Sequence, residues 1–235
     1  LPWGDHDALD TAIDDTVGAI LIEPVQGEGG IRPLPDQCLK GLRDLCDEKD
    51  LLLILDEVQC GISRTGRLFA HEWAGVEPDI MMVAKGIGGG FPLGAVLATE
   101  DAASGMTAGT HGSTYGGNPL ACAVGCAVMD IVADPGFLDT VNARAGFLRQ
   151  KLEALVAEHP NVFESVRGAG LMLGVKCKVA PIDVVNAGYE CGVITVPAAD
   201  NVVRLLPPLT ISEDEISEAI TRLDFAADAV AEAMA

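Results

Sequence analysis

The sequence predicts an α/β fold, a mostly parallel sheet in a large domain followed by a small C-terminal α/β domain. Three observations carry that prediction. Of the 235 residues 49% are hydrophobic but only 4% aromatic, so the core is built from Leu, Val, Ile and Ala, as parallel sheets under helices require. Apolar runs alternate with helical periodicity over the first hundred residues. Three of these runs end in a charged residue, Glu23, Asp56 and Lys85, each followed by a Gly- or Pro-rich turn. Open α/β folds hold their ligands at that carboxyl edge.

Residues 7–16 carry apolar side chains three to four apart and predict a short amphipathic helix. Val17 to Ile22 predicts a strand that stops at Glu23-Pro-Val-Gln-Gly-Glu-Gly-Gly30, where Pro24 disfavours helix at Glu23 and the glycines demand a turn. Residues 35–49 predict a helix with Leu39, Leu42, Leu45 and Cys46 on its buried face. The run from Leu51 is continuous rather than alternating, which predicts a strand covered on both faces, with Asp56 its first polar residue. Ile80 to Ala84 is a further strand ending in Lys85, and Ala95 to Thr99 another.

His111 to Leu120 is a polar loop, and Asn118-Pro119 opens a helix to Val132 rich in small residues. Asp134-Pro135-Gly136 breaks it. Phe137 to Glu158 predicts a second long helix, with Leu138, Val141, Ala145, Leu148, Leu152 and Leu155 on one face. Beyond His159-Pro160, short strands at 162–166, 171–175, 193–196 and 202–206 alternate with a helix near 180–191 and a last one from Glu213. The boundary falls near residue 133, giving units of residues 1–133 and 134–235.

Composition narrows the partners. With 15 basic and 35 acidic residues the net charge is −20, which argues against nucleic acid and anionic membrane. The seven cysteines are an odd number, with no Cys-x-x-Cys pair and no secretory signal. They fit reduced thiols in a cytoplasmic protein, and no zinc or other metal site is expected. No apolar stretch has the length of a membrane span.

Chemistry is expected at the strand ends. A lysine flanked by residues too small to shield it, at the end of a buried strand, sits in partly desolvated surroundings that favour its neutral, nucleophilic amine. Lys85 therefore reads as a Schiff-base lysine. Asp56 supplies the carboxylate that pyridoxal phosphate needs to keep its pyridine nitrogen protonated. Val58 can pack on such a ring and Gln59 can bond its phenolic oxygen. Ser113-Thr114, ahead of Gly116-Gly117, offers the hydroxyls and backbone N–H groups that a phosphate needs. A nucleotide-binding alternative at Gly86-Ile-Gly-Gly-Gly90 lacks the spacing of either phosphate-loop motif.

Leu55-Asp-Glu-Val-Gln59, Arg64-Thr-Gly66, Pro78-Asp-Ile80 through Ala84-Lys85-Gly86, and Gly112-Ser-Thr-Tyr-Gly-Gly-Asn-Pro119 together resemble the class III aminotransferases. Glu23 to Gly30 and Arg204-Leu-Leu-Pro-Pro208 extend the likeness along the whole chain. The resemblance implies the aspartate-aminotransferase-like fold (fold type I) and pyridoxal 5'-phosphate as cofactor. It implies that Lys85 carries the cofactor and moves the substrate proton, while Asp56, Glu57, Val58 and Gln59 line the ring. Thr114 would bind cofactor phosphate in the partner subunit of a homodimer, and Ser113 would approach substrate there.

By the same resemblance Arg204 forks onto the carboxylate of glutamate or 2-oxoglutarate, and Glu28 pairs with it when no dicarboxylate is bound. Within the class the likeness is greatest to members that transaminate N-acetylornithine in arginine biosynthesis. Members acting on ornithine or 4-aminobutyrate share nearly all these motifs. Relatives often have glycine where this chain has Ser63, which raises the question of a positive φ there. The family's N-terminal segment, with a phosphate loop, a stacking aromatic and a substrate arginine, has no counterpart in these residues. The expectation is that the chain alone is inactive.

Overall fold

The computed structural model describes residues 1–234. In chain order the elements are α1 (His6–Ala12), β1 (Ala19–Ile22), β2 (Val25–Gln26), β3 (Arg32–Pro33), α2 (Asp36–Lys49), β4 (Leu52–Asp56), β5 (Ile80–Val83), β6 (Ala95–Ala98) and α3 (Glu100–Ala103). They continue with α4 (Pro119–Val132), α5 (Pro135–Glu158), β7 (Phe163–Ala169), β8 (Met172–Cys177), α6 (Pro181–Glu190), β9 (Val196–Ala198), β10 (Val202–Leu205) and α7 (Glu213–Ala233).

The first sheet has the order β1-β4-β5-β6, parallel except for the antiparallel β5–β6 pair. Its apolar runs end together, so Glu23 just after β1, Asp56 at the end of β4 and Lys85 just beyond β5 stand at one edge. The second sheet, β7-β8-β10-β9, is antiparallel throughout and is backed by α5, α6 and α7. On α5 the stripe Val141, Ala145, Leu148, Leu152 and Leu155 is buried against that sheet, a fully buried Leu contributing about 1.5–3 kcal/mol. A separate apolar cluster packs Val25 of the two-stranded β2–β3 ribbon, Ile31, Cys60 and Ala70 against Met172 of β8 and Val202 of β10.

Four expectations are corrected. The strand from Leu51 is not covered on both faces: Leu53 and Leu55 are fully buried beside α2, but Leu52 is exposed. All of β6 is exposed, and so is Leu21 of β1; among the described residues no helix packs over the face that carries Leu21 and Leu52. The first helix stops at Ala12 instead of residue 16, since Asp14 Oδ1 accepts from the Thr16 amide at 2.8 Å and its hydroxyl at 2.5 Å, a local turn that competes with helix. Asp134-Pro135-Gly136 begins a helix as well as ending one: the Asp134 carboxylate caps Phe137 N at 3.1 Å with Pro135 in the first helical position.

The strand expected over residues 193–196 also starts later, at Val196. Val193 is instead drawn back onto the end of α6, where its amide donates to Gly188 O at 2.8 Å. Among the described residues no single helix is long and apolar enough to cross a membrane.

Candidate active site

The parallel register of β4 and β5 sets Asp56 opposite Met82, and the Glu57 amide donates to Met82 O at 2.9 Å. Lys85, three residues further along the neighbouring strand, therefore leaves the sheet at the same edge as Asp56. Its backbone has φ +47°, where an unbranched L-residue is held at a cost of about 1 kcal/mol, in a single 3-10 turn spanning Lys85–Gly88. Asp56 Oδ1 accepts from Val58 N at 2.9 Å; among the described residues Oδ2 has no partner. The expected desolvation of Lys85 is not seen. The residue is exposed, because Ala84 and Gly86 give little cover and no other element among the described residues buries it.

Glu57 does not join this edge. Successive strand residues point to opposite faces, so Asp56 and Glu57 diverge. The Glu57 carboxylate is fully buried and accepts from Ala70 N at 2.6 Å, His71 N at 2.8 Å and His71 Nδ1 at 2.8 Å. It organises the turn at 70–73 instead of lining a ring. Glu23 is likewise occupied locally, its Oε2 accepting from Gly27 N at 3.0 Å.

Gln59, Glu28 and Arg204 do converge. Arg204, in the middle of β10 and only 6% exposed, donates from Nη1 to Glu28 Oε1 at 2.6 Å and from Nη2 to Glu28 Oε2 at 3.0 Å. Gln59 Nε2 donates to Glu28 Oε1 at 3.2 Å, and Arg204 Nη1 also reaches Gln59 Oε1 at 3.4 Å. The Arg204 fork holds the Glu28 carboxyl below the usual carboxylate range, and the Gln59 bond and the Lys85 charge add to it. Glycine at position 27 leaves room for this arrangement, since a Cβ there would collide with the Gln59 amide. Among the described residues Arg204 Nε is buried without a partner.

Ser113 and Thr114 are not brought to this group. Both are exposed in the loop before α4, where Ser113 Oγ accepts from Gly116 N at 2.9 Å. Among the described residues no hydrogen bond ties them to Asp56, Lys85 or Arg204. Two residues carry roles that the linear sequence did not announce. Ser63 has φ +66° and donates its hydroxyl to Val132 O at 2.7 Å. Arg64 reaches across to the ends of two strands of the second sheet, donating from Nη1 to Leu171 O, just before β8, at 3.0 Å and to Pro207 O, just after β10, at 2.6 Å. The unusual serine was visible in the sequence; the acceptors of both side chains lie too far along the chain for any local pattern to show them.

Residues 5–226 match the family model for class III aminotransferases. The chain belongs to that family. An acetylornithine aminotransferase of Rhodobacter capsulatus is 69% identical over 97% of this chain and 58% of its own length. One from Mesorhizobium japonicum is 59% identical over 99% of this chain and 58% of its own length. The ornithine aminotransferase of Toxoplasma gondii, whose structure is described with partial occupancy of PLP at the active site, superposes with a TM-score of 0.91 at 36% identity, over 99% of this chain and 56% of that one. An N-acetylornithine aminotransferase from Stenotrophomonas maltophilia gives 0.89 at 37% identity, over 99% and 62%. The chain thus spans 58% of the length of the Rhodobacter and Mesorhizobium enzymes.

Class III aminotransferases use pyridoxal phosphate, and the residues at the sheet edge fit the ring end of that group. Asp56 offers an unshared carboxylate oxygen for a protonated ring nitrogen, Lys85 an exposed primary amine for an aldehyde, and Gln59, three residues beyond Asp56, an amide beside Arg204. The phosphate end is not represented among the residues gathered there.

Proposed function

We propose that this chain carries the lysine-bearing part of a transaminase that exchanges an amino group between N-acetylornithine and 2-oxoglutarate. The observation that carries the proposal is the Arg204–Glu28 fork, positioned where the Lys85 charge acts on Glu28. A buried guanidinium already held by a carboxylate is a dicarboxylate site with its own internal competitor. The 69% identity to an acetylornithine aminotransferase supports the choice of amino donor.

In this proposal Asp56 would hold the cofactor's pyridine nitrogen in its protonated form, Val58 would pack on the ring and Gln59 would bond its phenolic oxygen. When bound, pyridoxal phosphate supplies an electron sink for the carbon that loses its proton. Lys85 Nζ would hold the cofactor by its aldehyde and, as a free amine, would serve as the base and acid at that edge. Arg204 grips a carboxylate of 2-oxoglutarate or glutamate once Glu28 swings away, and Glu28 returns when the donor is N-acetylornithine. Thr114 and Ser113 serve a second subunit's site, in a cytoplasmic homodimer. The free cysteines are consistent with a reducing compartment.

The exposed Lys85 and the uncovered face of the first sheet favour a second statement: these residues alone do not complete a water-excluding cup. Both are tested by adding pyridoxal phosphate, reducing with borohydride and mapping peptides, followed by half-reactions with N-acetylornithine, ornithine and 4-aminobutyrate. Label on Lys85 with preference for N-acetylornithine is expected once the relatives' remaining length is supplied. Label on other lysines, or equal use of the three donors, overturns the proposal.

A further inference from the structure

The turn between β9 and β10 carries a charge cluster that the proposed chemistry does not use. Asp200 receives three cations from three other strands. Arg32 of β3 approaches Oδ2 at 3.1 Å, Arg167 of β7 approaches it at 2.7 Å, and Lys176 of β8 approaches Oδ1 at 2.7 Å. Lys176 and Arg167 also donate to the Asp200 carbonyl, at 2.5 and 3.3 Å. Asp200 and Asn201 both lie in the left-handed region, at φ +56° and +57°, and Asn201 Nδ2 donates to Cys177 O and Val179 O at 2.5 and 2.8 Å.

This turn touches the loop that bears Glu28. Ala199 N donates to Glu28 O at 2.9 Å. A Cβ on Gly30 would lie 2.5 Å from Ala199 O, so the two backbones are in close approach. Arg32 follows the same loop directly, after the fully buried Ile31 at φ +50°. Four residues beyond Asp200, on β10, is Arg204. The cluster thus clamps the chain on both sides of the Arg204–Glu28 fork: Arg32 fixes the loop end, Asp200 the hairpin end.

We infer that Asp200 is a positioning residue that registers the Glu28 loop against β10 and so sets how readily Glu28 yields Arg204 to an incoming dicarboxylate. This rests on the proposed role of Arg204. Removing the Asp200 charge leaves Arg32, Arg167 and Lys176 facing one another, which pushes Arg32 and its loop away. Glu28 then competes less well for Arg204, and dicarboxylate binds more tightly.

The sign separates positioning from simple charge. Asp200→Asn keeps the side-chain shape and the tolerance for positive φ while adding one positive charge to the region. Arg32→Gln cuts only the loop's link and removes one. Through-space electrostatics moves anion affinity in opposite directions for the two variants; loss of registration raises it in both.

The test is glutarate binding to the full chain by calorimetry, with amide exchange read at Ala199. Both variants are expected to bind glutarate about three- to tenfold more tightly and to exchange the Ala199 amide faster, with Leu53 and Leu173 amides unchanged. Combining either with Glu28→Gln removes the gain, since no competitor remains to be positioned. Opposite changes in the two variants, or gains that persist without Glu28, overturn the inference, as does unchanged Ala199 exchange. Glutarate binding that ignores Arg204→Lys overturns the carboxylate role of Arg204 itself, while Ala199 exchange still reports whether Asp200 holds the loop.

Discussion

The Ser63 hydroxyl donates to the Val132 carbonyl at 2.7 Å across 69 residues, closing the end of α4 with a side chain whose own backbone sits at φ +66°. Ser63 is fully buried and Val132 is buried as well, so the bond is shielded from solvent. Ser63→Ala keeps the unfavourable φ and orphans the carbonyl, and is expected to cost about 1–3 kcal/mol in urea unfolding. Ser63→Gly loses the same bond but relieves about 1 kcal/mol of backbone strain, so its loss should be smaller by about that amount. Equal losses for the two would show that the φ carries no strain.

Arg64 is largely enclosed and has no carboxylate among the described residues to pair with; burial alone pulls its guanidinium down to about 10. Its Nη1 satisfies Leu171 O and Pro207 O, while its own carbonyl accepts from Leu171 N at 3.0 Å. Arg64→Met leaves the Leu171 and Pro207 carbonyls without this partner. A loss of about 2–4 kcal/mol is expected, with faster exchange at the Leu171 amide before the α5 amides respond.

Glu57 has a structural task that can be separated from cofactor binding. Glu57→Gln is expected to destabilise the chain by about 1–3 kcal/mol, because an amide cannot accept from three donors at once. Trp73, whose Nε1 donates to Thr65 O at 3.0 Å, should report the loosened turn by fluorescence at lower urea than global unfolding. Cofactor affinity should be unchanged; a large loss there would return Glu57 to the ring.

Thiol reactivity should divide by burial. Cys122 and Cys126 are exposed on α4, whereas Cys46, Cys60 and Cys177 are buried. Burial pushes the Cys177 thiol up to about 11 and raises Cys46 and Cys60 as well. At pH 8 a disulfide reagent should modify Cys122 and Cys126 first, and the three buried thiols only on unfolding. Early labelling of Cys60 would show that the Glu57 turn opens in the native state.

Acid should loosen the fork and the hairpin in order. Arg204 lowers Glu28 from an ordinary 4.5, and Lys176, Arg167 and Arg32 lower Asp200 from 3.8. Both folded values lie below the unfolded ones, so the stability each contributes is fully present above its unfolded value and is lost as pH falls through the folded one. No change from these groups is expected between pH 5 and 7, and a decline below 4.5. Glu28→Gln should flatten the upper part of that decline and Asp200→Asn the lower part, read as unfolding free energy against pH.

Apolar runs, their helical or continuous texture and the polar residue that ends each were enough to place Asp56 and Lys85 at one sheet edge, since strand order follows from short right-handed crossovers. The same local rules located α2, α4 and α7, and the family motifs named the group to which the edge is suited. Other outcomes needed the folded chain. Adjacent residues diverge in a strand, so Asp56 faces the edge and Glu57 the interior, although both stand in one motif. Lys85 is exposed because cover depends on which elements lie over it, a property no local pattern encodes. Arg204 meets Glu28 across 176 residues, and Asp200 draws cations from β3, β7 and β8. Hydrophobic periodicity is written along the chain; the pairing of charges is decided by packing between segments far apart in it, and the fork and its clamp exist only there.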